Sequence, residues 1–133
     1  MISSADEFRR LRLASDADDY RRAASDEASD EVWIDVIDRY PDLREWVAHN
    51  KTVPLTILRR LAADSDKRVR YVVASKRTLD LPLFEMLACD PDEGVRDRIA
   101  CNAKTPLSVR LRLAADSVGF VAENARARIN VEQ

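Results

Sequence analysis

The stretch VPLTILRRLAADS, Val53–Ser65, returns at Thr105–Ser117 as TPLSVRLRLAADS, an offset of 52 residues. Halfway, at an offset of 26, LDLPLFEMLACDP (Leu79–Pro91) carries the same pattern. Extending the register outward aligns DLREWVAHN from Asp42, RVRYVVASK from Arg68, GVRDRIACN from Gly94 and FVAENARAR from Phe120. Leu43, Val69, Val95 and Val121 then share a column, as do Val47, Val73, Ile99 and Ala125, as do Leu61, Leu87 and Leu113. Three full copies and a fourth half-copy with this period predict a solenoid, in which each unit buries its apolar face by stacking on a neighbour.

Each copy reads as two short helices. Pro54 and Pro106 suit a first helical position, where a missing N–H costs nothing, and Thr105 stands where it could cap the N–H groups behind it. Leu55, Leu58, Leu61 and Ala62 recur at helical spacing. The following helix is expected to begin at Asp90-Pro-Asp-Glu93, with Asp90 as cap and Glu93 reciprocating, and to bury Val95 and Ile99. Helices of about ten residues do not persist alone in water, so packing must hold them.

Residues 1–40 lie outside the clean repeat. Ser4-Ala-Asp-Glu7 reads as a capping box before a stripe of Phe8, Leu11 and Leu13, and a weaker helix follows around Ala17–Ala24. Ser29 opens DEVWIDVIDRY, whose Val32, Trp33, Val36 and Ile37 make an amphipathic face ending before Pro41. The expectation is one domain over 1–133, with an N-terminal helical cap at 1–40 and helical repeats at 41–130.

VPLTILRRLAAD, RVRYVVAS and NAKTPLSVRLRLAADS together resemble the leucine-rich repeat variant family, a bacterial branch of the HEAT and armadillo-like helical repeats. The likeness covers about Tyr40 to Ile129. It implies an all-α, right-handed superhelix of paired helices, one of each pair closer to 3₁₀. The spacing of 26 is slightly longer than that family's usual unit. The cysteine cluster that holds an iron–sulfur centre in its founding member is missing, so the resemblance brings no cofactor with it.

Composition points the same way. Charged residues make up 35% of the chain and there are only 2 glycines, which favours solvated helices over a strand-rich sandwich. The N-terminus carries charges where a signal peptide would be apolar, and no run is long enough to span a bilayer, so a cytoplasmic location is expected. Cys89 and Cys101 have no metal-type spacing and read as reduced packing residues, a disulfide being the lesser alternative.

An enzyme would have to be built around His49, the single histidine. It shares a column with Ser75, Cys101 and Ala127, which suits a helix end, and no glycine-rich phosphate loop or dinucleotide fingerprint is present, so neither catalysis nor a cofactor or metal is expected. The Asp64, Asp90, Asp116 column beside the Arg44, Arg70, Arg96 column reads as a structural ladder. Asn50 and Asn102 read as side chains satisfying turn backbone. Arg110 and Ala122 interrupt their columns, which suggests an end that faces water.

Charge is unevenly spread. Residues 1–40 carry 11 acidic and 6 basic side chains, whereas 59–77 carry 7 basic ones against Asp64 and Asp66. Tyr71 falls opposite Val69 and Val73 on its helix and should be exposed among these cations. Arg59, Arg60, Lys67, Arg68, Tyr71, Lys76 and Arg77 are therefore the candidate partner-binding residues. The expected function is non-catalytic binding of a macromolecular partner, foremost a protein with an acidic patch. An immunity-type protein neutralising a bacterial toxin is a narrower alternative. Nucleic acid is a weaker one, because net charge is −2 and the basic cluster spans about one unit.

Overall fold

Caps set the helices. In the computed structural model, which describes residues 1–132 and their side chains through Ile129, the hydroxyl of Ser4 accepts from the N–H of Glu7 at 3.0 Å and starts α1 (Ala5–Leu13). Asp16 likewise caps α2 (Ala17–Ser25), and Ser29 caps α3 (Asp30–Arg39) through the N–H of Val32. A 3₁₀ turn (Pro41–Leu43) leads into α4 (Arg44–His49), and α5 (Leu55–Ala62) follows. Then come α6 (Lys67–Ala74), α7 (Leu81–Ala88), α8 (Glu93–Cys101), α9 (Leu107–Leu113) and α10 (Gly119–Glu132). The described residues are all-α, and their only β-type pairing is an isolated bridge between Ile2 and Ala28. Their contacts fall into two compact units, Met1–Leu61 and Ala62–Gln133.

In the first unit α1 packs on α2 and α3, and α3 packs on the 3₁₀ turn and α4. Phe8 and Trp33 meet edge to face with ring centroids 5.3 Å apart, both fully buried, and Leu11, Val36, Ile37, Leu43 and Val47 close the core around them. Burying each aromatic ring stabilises the unit by about 1.5–3 kcal/mol. Leu13 does not join the stripe of Phe8 and Leu11 but is exposed, because two residues beyond Leu11 it stands about 200° around the helix, on the solvent side. Asn50 is buried: its amide donates to the carbonyls of Ala23 and Asp26 and accepts from the N–H and hydroxyl of Thr52.

In the second unit α8 packs on α6, α7 and α10, and α9 on α7 and α10. Val69, Val95 and Val121 are buried, as are Val73, Ile99 and Ala125, and Leu87 and Leu113. Asn102 repeats the role of Asn50, donating to the carbonyls of Ala74 and Lys76 and accepting from the N–H of Lys104.

Four local expectations need correction. Asp92, not Asp90, caps α8 through the N–H of Val95; Asp90 accepts from the N–H of Asp92, since its carboxylate is already turned toward an arginine. Pro106 lies one residue before α9, and Thr105 makes no cap, because its buried hydroxyl donates back to the carbonyl of Ile99 at 2.6 Å. Arg110 does not face water: it is 1% exposed, with its guanidinium donating to the carbonyls of Asn102 and Ala103. The fourteen-residue α10 packs on α9 and encloses this end. Neither cysteine is a buried packing residue. Cys89 is exposed, its sulfur accepting from Arg112, and Cys101 is half-buried, which pushes its thiol pKa up.

Candidate functional site

The aspartate and arginine columns account for each other within the second unit. Arg70 donates to both carboxylate oxygens of Asp90, at 2.8 and 3.2 Å, and to the carbonyl of Asp64. Arg96 does the same one period later, to Asp116 at 2.9 and 3.4 Å and to the carbonyl of Asp90. Each aspartate of the column also accepts the N–H two residues ahead, from Asp66, Asp92 and Val118 in turn. The hydrogen bonds that Arg70 and Arg96 donate to Asp90 and Asp116 raise the pKa of both arginines. Burial alone would raise the Asp116 carboxyl, but the hydrogen bonds from Arg96 and the Val118 N–H, with the charge of Arg96, hold it below its ordinary range. The carboxylates of Asp90 and Asp116 are each engaged by an arginine fork and a turn N–H, so they work as a ladder.

Of the predicted partner-binding residues, Arg59 and Arg60 belong to α5 in the first unit, where Arg60 is hydrogen-bonded to Asp38 and both are exposed. The other five belong to the second unit. Lys67, Arg68 and Tyr71 come together on the outward face of α6, Tyr71 being 47% exposed. Lys67 pairs with Asp92 at 3.8 Å and Arg68 with Asp66 at 2.9 Å, which lowers the Asp66 pKa. Lys76 and Arg77 lie in the turn that follows. Arg77 is exposed, whereas Lys76 is half-buried, and that burial pulls its ammonium pKa down.

A second arrangement was not legible in the sequence. In the first unit Arg12, Tyr20, Ala23, Ala24, Trp46 and His49 line a recess of about 250 Å³. The Arg12 guanidinium carbon lies 3.6 Å from the centroid of the Trp46 ring and 4.8 Å from that of Tyr20. The His49 ring stacks on Trp46 at 5.2 Å, as residues three apart on a helix can. The available signal was Trp46 itself, a large aromatic off the Leu43 and Val47 stripe. Its partners on α1 and α2 carry no periodic mark.

The chain matches no family model, no curated protein and no solved structure. Among the described residues no cluster of three His, Cys, Asp or Glu side chains could hold a metal ion, and no helix is long and apolar enough to cross a membrane. Two groupings stand out: an exposed tyrosine with flanking cations on α6, and an arginine held between aromatic rings in the first unit.

Proposed function

We propose that this protein is a right-handed α-solenoid of the leucine-rich repeat variant kind, and that it binds a protein partner bearing an acidic patch rather than catalysing a reaction. The repeated contacts support the architecture: the Arg70–Asp90 pair recurs as Arg96–Asp116 at the 26-residue period, and the Asn50 turn recurs at Asn102. One observation carries the binding reading. Tyr71 presents nearly half its surface to solvent between Lys67 and Arg68, on a helix whose Val69, Val72 and Val73 already supply the core. The fold does not need those three side chains outside, and an aromatic with flanking cations is a favoured contact set. Their present partners, Asp66 and Asp92, are surface carboxylates whose pairing is weakened by water and salt, so a partner's acidic groups can replace them at little cost.

The test compares the wild-type chain with Arg68→Ala/Tyr71→Ala as immobilised baits against an extract of the source cells, followed by affinity measurement on the captured protein. Melting of the variant stays within roughly 2 °C of wild type, as for exposed sites. Affinity falls about thirtyfold or more, the equivalent of roughly 2 kcal/mol at an interface centre. Unchanged affinity removes this face from consideration. Binding to random duplex DNA with a steep salt dependence would instead favour a nucleic-acid partner.

A further inference from the structure

We propose that the recess of the first unit is a binding site for a single carboxylate carried on a small apolar body. The cation is already in place. Arg12 is fixed between the Trp46 and Tyr20 rings, its Nε is buried, and no acceptor is within hydrogen-bonding reach of that atom. Ring faces attract the guanidinium charge but leave its Nε–H unsatisfied, and a buried donor without an acceptor costs free energy that an anion drawn onto the guanidinium would recover.

The neighbouring helix does not supply that anion. Of the α2 carboxylates, Asp16 caps its own helix, Asp18 pairs with Arg21 at 3.4 Å and Asp19 with Arg10 at 3.9 Å. Among the described residues Arg12 makes no ion pair, while Arg10 and Arg22 on either side of it in sequence do.

Size and lining define the ligand. About 250 Å³ admits a side-chain-sized group, and Ala23, Ala24 and the rings offer it an apolar wall. One planar guanidinium matches one carboxylate in a two-pronged hydrogen bond, and a single positive charge beside an apolar wall suits a monoanion better than a multiply charged phosphate. His49, stacked on Trp46, holds the indole in position against the Arg12 guanidinium, and the ligand's apolar body lies against Ala23 and Ala24. This site is independent of the α6 face, and either can fail without the other.

The experiment is a nuclear magnetic resonance titration of the full chain with benzoate, its neutral analogue benzamide, and inorganic phosphate, observing the Arg12 Nε–H and Trp46 indole N–H signals. Benzoate is expected to shift both saturably, benzamide and phosphate not. Arg12→Lys keeps the charge but loses the fork, and should weaken benzoate binding at least about tenfold. A capped tripeptide with a central glutamate separates two sources of the same chemistry: tighter binding than benzoate assigns the carboxylate to a partner's side chain, weaker binding to a free small acid. Equal response to benzamide and benzoate, an equal response to phosphate, or no saturable shift at either signal would overturn the proposal. The wild-type titrations decide it even if Arg12→Lys does not fold.

Discussion

Arg70 and Arg96 of the second unit repeat one contact set, whereas Arg12 and Arg39 of the first do not share theirs. In the second, Arg70 and Arg96 occupy equivalent positions and make the same contacts, each tying a carboxylate twenty residues ahead to a carbonyl six residues behind. In the first, Arg12 lies against Trp46 and Tyr20, and Arg39 reaches Asp35, Asp6 and Tyr40, in contacts that occur once each. The periodic contacts are ion pairs largely shielded from water, whereas the single ones combine aromatic faces with exposed carboxylates. A periodic sequence can repeat an ion pair because both partners repeat. An aromatic shelf for a cation needs three particular side chains from three helices, and so arises once.

The comparison breaks most severely on deletion of residues 1–40. That cut runs through the first unit and removes Phe8, Trp33, Val36 and Ile37 from the core that also holds Leu43 and Val47. Aggregation or loss of cooperative unfolding is expected, measured by light scattering and thermal melting. A truncated chain that stays monomeric with unchanged melting would show that the N-terminal helices are a separate appendage.

The ladder gives the next largest effect. The Asp90 side chain is 4% exposed and that of Arg70 13%, so Asp90→Ala strands a mostly buried guanidinium and should cost about 3 kcal/mol in denaturant unfolding. Asp90→Asn retains an acceptor for the Asp92 N–H and should cost less. Equal losses in the two variants would mean that the turn contributes nothing and the charge everything.

The smallest effect is pH dependence. The Asp116 carboxyl titrates below its ordinary 3.8 in the folded chain, so in acid the unfolded chain binds more protons. Its contribution to stability is fully present above 3.8 and is lost as pH falls through the lower folded value. Urea midpoints measured from about pH 5 down to pH 2 should fall less steeply for Asp116→Asn than for wild type. Parallel curves would remove Asp116 from the acid transition.

The core columns were legible because burial follows period. Leu43, Val69, Val95 and Val121 were aligned from sequence and each is buried. Caps were legible to within two residues: Ser4 and Ser29 cap as read, though Glu7 turns to Ser3 and Arg22 instead of completing a box, and at Asp90-Pro-Asp-Glu93 two aspartates compete, Asp90 being drawn off by Arg70, a residue 20 positions earlier. Tyr71 was placed outward because it opposes the valines on its own helix. The Arg12 recess was not legible, since Trp46 reads equally as core or surface until α1 and α2 are folded beside it.

By itself the sequence determined that the chain is helical, which apolar residues face inward, and that aspartates and arginines recur in matched columns. These properties follow from local periodicity, cap chemistry and a repeated register. Only the tertiary structure decided where polar groups without such a mark would go. Thr105 turned back to the carbonyl of Ile99, Arg110 was buried against the carbonyls of Asn102 and Ala103, and Arg12 was set between two rings. The physical reason is that a polar side chain adopts the position in which its donors find acceptors or a ring face, and those partners come from helices whose proximity no sequence spacing encodes.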